Sequence, residues 1–273
     1  MVIDQINAAV LYHLSGIFIY PIKGLAGISL QEASLSQTGF LYDRNWMLVD
    51  EKFQFISQRS HAQLALIKPT ILGSKIFLTY KQSSISFDVI EQIDGGFKVN
   101  VWEDFPFAFT VSHLVNQWFS EILQQPVQLV KLKPETRFLS DKYAAIPAEV
   151  AFSDAFPFLL ISEASLQFLN QKLETPVLMN RFRPNLVMSG GEPHDEDKFK
   201  QFSIGEFSFV GAKPCARCSV TTINQESAEQ GKEPLKTLAT YRTHNNAILF
   251  GMNVFSLNKN GTIKAGDLVV PLN

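Results

Sequence analysis

The sequence contains few cysteines and no concentrated block of positive charge. Cys215 and Cys218 are the only cysteines in 273 residues, which excludes a disulfide framework. They are also too few for an iron–sulfur cluster, which normally takes four cysteine ligands. The net charge is −2, and Lys and Arg form no long run. Because nucleic-acid binding depends on clustered Lys and Arg that neutralise phosphates, this composition argues against a nucleic-acid partner.

Long apolar runs are also missing. No stretch approaches the roughly 18 apolar residues of a membrane-spanning helix. The N-terminal stretch has no basic residue before Lys23 and is interrupted by Asp4 and His13, so it does not fit a signal peptide. We therefore expect a cytoplasmic protein without a membrane span. Apolar residues make up 46% of the chain, which is enough to form a globular core.

Short alternating or apolar segments predict a mainly β protein. They include RNWMLVD, KIFLTY, SISFDVI and FAFTV before residue 112, and NLVMSG, FSIGEFSFVGA, CSVTTIN and LFGMNVFSL after Pro184. Strands this dense suggest a closed or nearly closed β structure. Helical periodicity after Ser112 and after Ser162 predicts two helices with serine N-caps. Residues 132–157 predict a long loop, and the charged residues 190–200 predict a solvated loop.

The two cysteines lie together in KPCARCSVTT (213–222), and their spacing alone leaves several interpretations open. A structural zinc site normally needs four ligands, and no second pair is present. A redox disulfide normally opens a helix, whereas SVTTI is typical of a strand. Two buried thiols without chemistry would also fit. Lys213 and Arg217 flank the thiols, however, and neighbouring cations favour the thiolate that binds a metal or an electrophile.

Further cations occur beside prolines and glycines at strand ends. Lys23 lies in FIYPIKGLAG, Arg44 in LYDRNWML, and Arg183 and Asn185 in RFRPNLVMSG. Each of these residues, taken singly, is typical of a solvated position at the end of a strand.

Together, these stretches resemble the MOSC-domain proteins in their molybdenum-cofactor reductase branch, which includes hydroxylaminopurine reductases and amidoxime-reducing components. The resemblance is carried in order by YPIKG, DRNW, FSDAFPFLLISEASL, RFRPNLVMSG, KPCARCSVTTI, EPLKTLATYR and GTIKAGD. It implies an α+β, mainly β fold with a few helices. An N-terminal β-barrel-like lobe would cover residues 1–125 and a C-terminal MOSC β-barrel residues 126–273.

The resemblance also implies a site for a molybdenum–molybdopterin cofactor. Cys218 matches the cysteine that ligates molybdenum, so it would be both the metal ligand and a catalytic residue, whereas Cys215 matches a cysteine that is not a ligand. Asp154 matches an aspartate near the metal, and a proton-transfer role for it is our hypothesis. The residues that match cofactor-binding positions are Lys23, Gly24, Arg44, Arg183, Asn185, Ala216, Arg217 and Cys218.

The implied activity is reduction of small N-hydroxylated substrates such as amidoximes. The resemblance implies a C-terminal ferredoxin domain in bacterial members of this branch, and two cysteines cannot ligate its iron–sulfur cluster, so the expected electron donor is a separate ferredoxin, flavoprotein or cytochrome. The alternative is a non-catalytic carrier of the cofactor or of sulfur, since MOSC domains also occur fused to pyridoxal-phosphate sulfurases. Gly24, Ala216 and Met252 stand where relatives carry Ser, Ser and Gln, and Met252 is therefore a candidate determinant of substrate preference.

Substitution of the two cysteines separates these interpretations. We expect Cys218→Ser to abolish N–O reduction, because no neighbouring side chain replaces its thiolate as a metal ligand. Cys215→Ser should retain much of the activity and lower stability by about 1 kcal/mol, the cost of burying a hydroxyl. Activity assays and metal analysis of both variants provide the test. Equal loss of activity in two well-folded variants would contradict the single-thiolate interpretation.

Overall fold

The computed structural model describes residues 11–140, 142–143 and 148–272. The first part of the chain contains α1 (His113–Leu123) and eleven strands: β1 (Tyr12–Ile19), β2 (Ile28–Leu30), β3 (Glu32–Ser36), β4 (Gly39–Phe40), β5 (Trp46–Val49), β6 (Lys68–Leu72), β7 (Lys75–Tyr80), β8 (Ser83–Asp88), β9 (Phe97–Lys98), β10 (Phe107–Thr110) and β11 (Gln128–Leu132).

The second part contains eight further strands and two helices. The strands are β12 (Phe158–Ser162), β13 (Leu186–Ser189), β14 (Gln201–Ile204), β15 (Phe207–Ala216), β16 (Thr243–His244), β17 (Ala247–Ser256), β18 (Thr262–Lys264) and β19 (Leu268–Leu272). The helices are α2 (Glu163–Asn170) and α3 (Leu235–Ala239). The prediction of a mainly β protein with few helices is confirmed. Within the described part of the chain, no helix is long and apolar enough to cross a membrane.

Seven strands close into a barrel in the order β12-β13-β1-β19-β14-β15-β17, with β17 pairing back to β12. The β12–β13 pair is parallel, and the other neighbours are antiparallel. Phenylalanines fill much of the interior: the Phe202 and Phe209 rings stack with centroids 5.5 Å apart, and Phe158 meets Phe209 edge-on at 5.7 Å. The predicted closed β structure is thus formed around an aromatic core.

Three smaller sheets accompany the barrel, with the orders β5-β11-β10-β9, β6-β7-β8 and β18-β3-β4. Strand β1 comes from the N-terminal region but lies in the barrel, and β11 pairs with β5 and β10. The order of strands along the chain therefore does not separate the barrel from the smaller sheets. The predicted division into 1–125 and 126–273 stays a prediction.

Both predicted helices form. Ser162 accepts a hydrogen bond from the backbone N–H of Ser165 at 3.0 Å, which is the expected N-cap contact. Ser112 precedes α1, but its side chain makes no capping hydrogen bond. One face of α1 is buried through Val115, Phe119 and neighbouring apolar residues, as the sequence periodicity predicted.

Two predictions of local structure were wrong. CSVTTIN does not form a strand, because residues 219–222 form a 3₁₀ turn in which Thr221 Oγ1 donates to Cys218 O at 3.0 Å and Thr222 Oγ1 donates to Ser219 O at 2.8 Å. Such local side-chain bonds compete with strand pairing. Residues 190–200 are not a solvated loop either: Glu196 is fully buried, and the hydroxyls of Ser162 and Ser165 each donate to its Oε2 at 2.8 Å.

The aromatic core of the barrel can be tested with a truncation. Phe202→Ala should lower the free energy of unfolding by about 3–5 kcal/mol, because it removes a fully buried ring from a closed barrel. Phe105→Ala is the matched control, since Phe105 is 61% exposed and its loss should change stability by no more than about 0.5 kcal/mol. Denaturant titration measures both values, and similar midpoints for the two variants would contradict the assignment of Phe202 to the core.

Candidate active site

A cleft of about 140 Å³ lies where loops that follow strands of both parts of the chain meet. Most of the residues predicted for the site line it: Lys23, Gly24, Arg44, Asp154, Arg183, Asn185, Arg217 and Cys218. Ala216 does not line the cleft, and its role in cofactor binding stays a prediction. Met252 is fully buried in the core of the barrel and does not line the cleft, which argues against its proposed effect on substrate preference.

Two arginines that line the cleft, Arg44 and Arg183, share one buried aromatic ring. The guanidinium carbons of Arg44 and Arg183 lie 4.5 Å and 4.2 Å from the centroid of the Tyr20 ring. The Tyr20 hydroxyl donates to the carbonyl of Pro184 at 3.0 Å, and burial raises the pKa of Tyr20 to about 12. Tyr20 therefore stays neutral and supports two cations through cation–π contacts.

Arg44 is held by polar partners on either side. Its Nη1 donates to Asp43 Oδ2 at 2.5 Å and to Asn185 Oδ1 at 3.0 Å. Burial raises the pKa of Asp43, and the charge of Arg44 opposes that shift. Asn185 in turn donates to the carbonyl of Phe18 on β1, so it links the barrel to the Arg44 guanidinium. The predicted cofactor-binding residues Arg44 and Asn185 thus contact each other directly.

Arg183 and Arg217 keep only part of their donors occupied by protein. Arg183 donates to the carbonyl of Leu25 at 2.6 Å, and desolvation lowers its pKa to about 10. Arg217 donates to the carbonyl of Phe182 at 2.7 Å and to Cys215 Sγ at 3.1 Å. Its buried Nε has no hydrogen-bond partner among the described residues. A buried charged donor without a partner is costly, which favours an anionic acceptor at this position.

Backbone conformation adds to this arrangement. Arg44 and Arg183 have φ angles of +53° and +56°, in the left-handed region that side chains other than glycine rarely adopt. Gly24 also has a positive φ of +90°, a conformation that glycine adopts without steric cost. The strained arginine conformations persist because hydrogen bonds and the Tyr20 ring fix both side chains.

Lys23 and Asp154, which also line the cleft, form an ion pair. Lys23 Nζ lies 2.5 Å from Asp154 Oδ1 and donates to the carbonyl of Phe152 at 2.8 Å. Burial lowers the pKa of Lys23, while Asp154 opposes the shift. Desolvation raises the pKa of Asp154, but the charge of Lys23 and their hydrogen bond outweigh it and give a net decrease. Asp154 is therefore ionised at neutral pH.

Arg137, which lies in the predicted long loop of residues 132–157, fixes the segment that carries Asp154. Its Nη1 donates to the carbonyls of Ala151 and Ser153 at 2.5 Å each, and its Nε donates to Asp104 Oδ2 at 2.8 Å. Arg137 is only 5% exposed. In the sequence, Arg137 is one of several charged residues in the segment 132–157, and nothing local shows which carbonyls it binds.

The two thiols differ in their surroundings. Cys215 is partly buried beside an apolar cluster and accepts a hydrogen bond from Arg217. Cys218 is exposed in the cleft, and its sulfur makes no hydrogen bond within the described part of the chain. Both thiols are free, so a disulfide between them is absent from this structure. Cys218 is thus the thiol available to a soft metal.

Comparison with known families agrees with this geometry. The family model described as MOSC domain matches residues 147–270, and the model described as MOSC N-terminal beta barrel domain matches residues 11–126. The chain therefore belongs to the MOSC-domain family, in the form that also carries the N-terminal β-barrel domain.

The similar proteins include amidoxime-reducing components and molybdenum cofactor sulfurases. Human mitochondrial amidoxime-reducing component 1 is 31% identical over 274 residues, covering 93% of this chain and 81% of that protein. Rat mitochondrial amidoxime reducing component 2 is 32% identical and covers 94% of this chain and 82% of that protein. The molybdenum cofactor sulfurase of Oryza sativa subsp. japonica is 32% identical over 265 residues. That alignment covers 88% of this chain, which spans only 32% of the length of the sulfurase.

The Lys23–Asp154 pair can be tested by titration. The Asp154 carboxyl should titrate below its ordinary range in the unmodified protein, and Lys23→Met should raise its pKa towards the ordinary value, because the charge and the hydrogen bond of Lys23 that lower the pKa are lost. Carboxyl ¹³C NMR follows the titration, and Asp154→Asn assigns the signal. An unchanged Asp154 pKa in Lys23→Met would show that the pair does not control this carboxylate.

Proposed function

We propose that this protein is a molybdenum-cofactor-dependent oxidoreductase that reduces small N-hydroxylated compounds. The observation that carries the proposal is one cleft that combines an exposed thiol, Cys218, with four cations, of which Arg217 retains a buried, unpartnered donor. An anionic metal cofactor needs this combination of a soft ligand and several cations. Similarity to the amidoxime-reducing components supports the N-hydroxylated substrate class.

The residues of the cleft fit a phosphorylated pterin bearing molybdenum. Arg44, Arg183 and Arg217 would hold the anionic groups, because planar guanidinium groups bind phosphate through parallel hydrogen bonds. Lys23 would contribute a fourth cation. Cys218 would be the protein ligand of the metal, and Cys215 would pack at the wall. When bound, the cofactor supplies oxygen-atom transfer and electron-transfer chemistry that side chains lack.

The protein would position the substrate beside Asp154. Both hydrogen bonds of this carboxylate within the described residues are made to Oδ1, from Lys23 and from Trp102. Oδ2 therefore remains available to accept a hydrogen bond from an N–OH or N–H group. Conversion of N–OH to N–H consumes two protons and two electrons and releases water, and in the Lys23–Asp154 pair Lys23, whose pKa burial lowers, would donate a proton while the Asp154 carboxylate orients the N–OH group.

Electrons would come from a separate protein of the ferredoxin, flavoprotein or cytochrome type. Two cysteines cannot ligate an iron–sulfur cluster, and the sequence has no Gly-rich dinucleotide fingerprint after a strand. A cytoplasmic location likewise stays a prediction.

A cofactor or sulfur carrier is the second candidate, because the sulfurase similarity is as high as that to the reductases. A purified sample that reduces benzamidoxime with reduced viologen supports the reductase. A sample that is inactive in this assay, yet transfers its cofactor to an apo-enzyme, supports the carrier.

Cofactor retention tests the cationic cleft directly. Arg217→Gln should lower the molybdopterin content of the purified protein at least about tenfold, because removal of one partner of a buried charge pair costs on the order of 2–5 kcal/mol. Arg217→Lys should retain an intermediate amount, since it keeps the charge but not the planar donor set. Oxidation of the pterin to a fluorescent derivative measures the content.

The matched control is Arg242→Gln. Arg242 also binds a carbonyl, that of Leu249, and pairs with Asp197 at 2.6 Å, but it does not line the cleft. We expect this variant to retain its cofactor. Equal pterin content in the Arg217 and Arg242 variants would remove Arg217 from the binding site.

A further inference from the structure

Trp102, Phe55 and Arg59 form an aromatic and cationic group beside the cleft, and the proposed cofactor contacts involve none of these three residues. The Trp102 ring lies 5.0 Å from the Phe55 ring, and the guanidinium carbon of Arg59 lies 4.4 Å from the centroid of Trp102. Phe55 and Arg59 line the cleft. Trp102 is 43% exposed, which is unusual for an indole in a protein whose other two tryptophans are buried.

The exposed indole is held firmly in place. Trp102 has a φ of +61° and lies in a tight turn closed by the bridge between Val101 and Asp104. Its Nε1 donates to Asp154 Oδ1 at 3.2 Å, and Arg137 ties Asp104 to the segment that carries Asp154. A bulky residue in a left-handed conformation is costly unless its surroundings enforce it. The fold thus fixes an exposed aromatic face beside an ionised carboxylate.

Arg59 covers this face through weak contacts. Its guanidinium also lies 5.7 Å from the centroid of Phe55, but it makes no side-chain hydrogen bond or ion pair with any described residue. Exposed cation–π contacts are worth only about 0.5–1 kcal/mol, so Arg59 can be displaced easily. Chemically, a guanidinium is a planar, delocalised N–C–N cation, the same type of group as an amidine.

We propose that Trp102 and Asp154 form a recognition site for planar aromatic substrates of the amidine type, and that Arg59 occupies this site as an internal competitor when no substrate is bound. The aromatic ring of the ligand lies on the indole, and its N–H or O–H group donates to Asp154 Oδ2. Assignment of such ligands as substrates rests on the proposed reductase function, but their binding does not. The site favours aromatic over aliphatic amidoximes, because only the former offer a ring to stack.

Binding can be followed without turnover, with benzamidine and acetamidine as probes. These molecules share the amidine group and differ only in a phenyl or a methyl substituent. Trp46 and Trp118 are 0% and 8% exposed, so a change in tryptophan emission on ligand addition reports Trp102. Trp118→Phe should keep this signal and Trp102→Leu should abolish it. Isothermal titration calorimetry then supplies affinities that do not depend on fluorescence.

The variants should shift benzamidine affinity in opposite directions. We expect Trp102→Leu to weaken binding about tenfold while changing acetamidine binding less than twofold, as expected for loss of a stacking face. Arg59→Ala should strengthen benzamidine binding about threefold, because it removes the competitor. Phe105→Ala, an exposed aromatic three residues from Trp102, should leave the affinity unchanged. Circular dichroism confirms that each variant is folded.

Specific results would overturn the proposal. Unchanged benzamidine affinity in Trp102→Leu, equal loss for both probes, or unchanged or weaker binding in Arg59→Ala each contradicts it. Failure of the proposed reductase function gives a different result. A protein without pterin or activity would still bind benzamidine more weakly in Trp102→Leu and more strongly in Arg59→Ala if the recognition site is correct. Conversely, viologen-driven reduction of benzamidoxime and acetamidoxime with the same kcat/KM ratio in the wild type and in Trp102→Leu would defeat this inference alone.

Discussion

The cleft concentrates positive charge that is largely withdrawn from water, and this constraint determines what surrounds it. A desolvated cation is destabilising unless carbonyls, carboxylates or aromatic faces replace its hydration. Lys23 has the carbonyl of Phe152 and the carboxylate of Asp154, while Arg44 and Arg183 share the Tyr20 ring. These partners hold the cations without neutralising them fully, so the cleft keeps a preference for an anion.

The partners of these cations come from distant parts of the chain, which links the site to the fold. Pairing of β1 with β13 brings Phe18 to Asn185 and so places Tyr20 beside Arg183. The amide of Phe152 donates to the carbonyl of Arg44, which joins the Asp154 segment to the arginine pair. Because each contact spans more than a hundred residues, the charged cleft exists only once the barrel and its flanking sheets have formed.

The sequence predicted regular elements better than irregular ones. KIFLTY coincides with β7, and the capping signal at Ser162 locates the start of α2, because periodicity and caps are local properties. CSVTTIN was misassigned since threonine hydroxyls can bond to nearby carbonyls as readily as β-branched side chains favour strands. The burial of Glu196 depends on two serines about thirty residues away, and no local pattern shows such a partner.

For the site, motif resemblance located most of the lining residues but not those that support them. Lys23, Arg44, Arg183 and Cys218 meet in one cleft as expected. Tyr20 and Arg137 were missed because their importance lies in what they contact. The sequence around Tyr20 does not show that its ring contacts two guanidinium groups. The sequence around Arg137 likewise does not show that its side chain binds two carbonyls.

The pairing of Tyr12 on β1 with Val269 on β19 has a consequence for biosynthesis. Translation reaches Tyr12, the first residue of β1, long before Leu268, the first residue of β19. During most of translation, the edge of β1 that finally pairs with β19 therefore lacks this neighbour. Short-range pairing with β2 covers part of the strand in the interval. Long-range closures of this kind are slow and leave nascent strands prone to aggregation. An unpaired strand edge during synthesis is therefore a consequence of the order in which this barrel receives its strands.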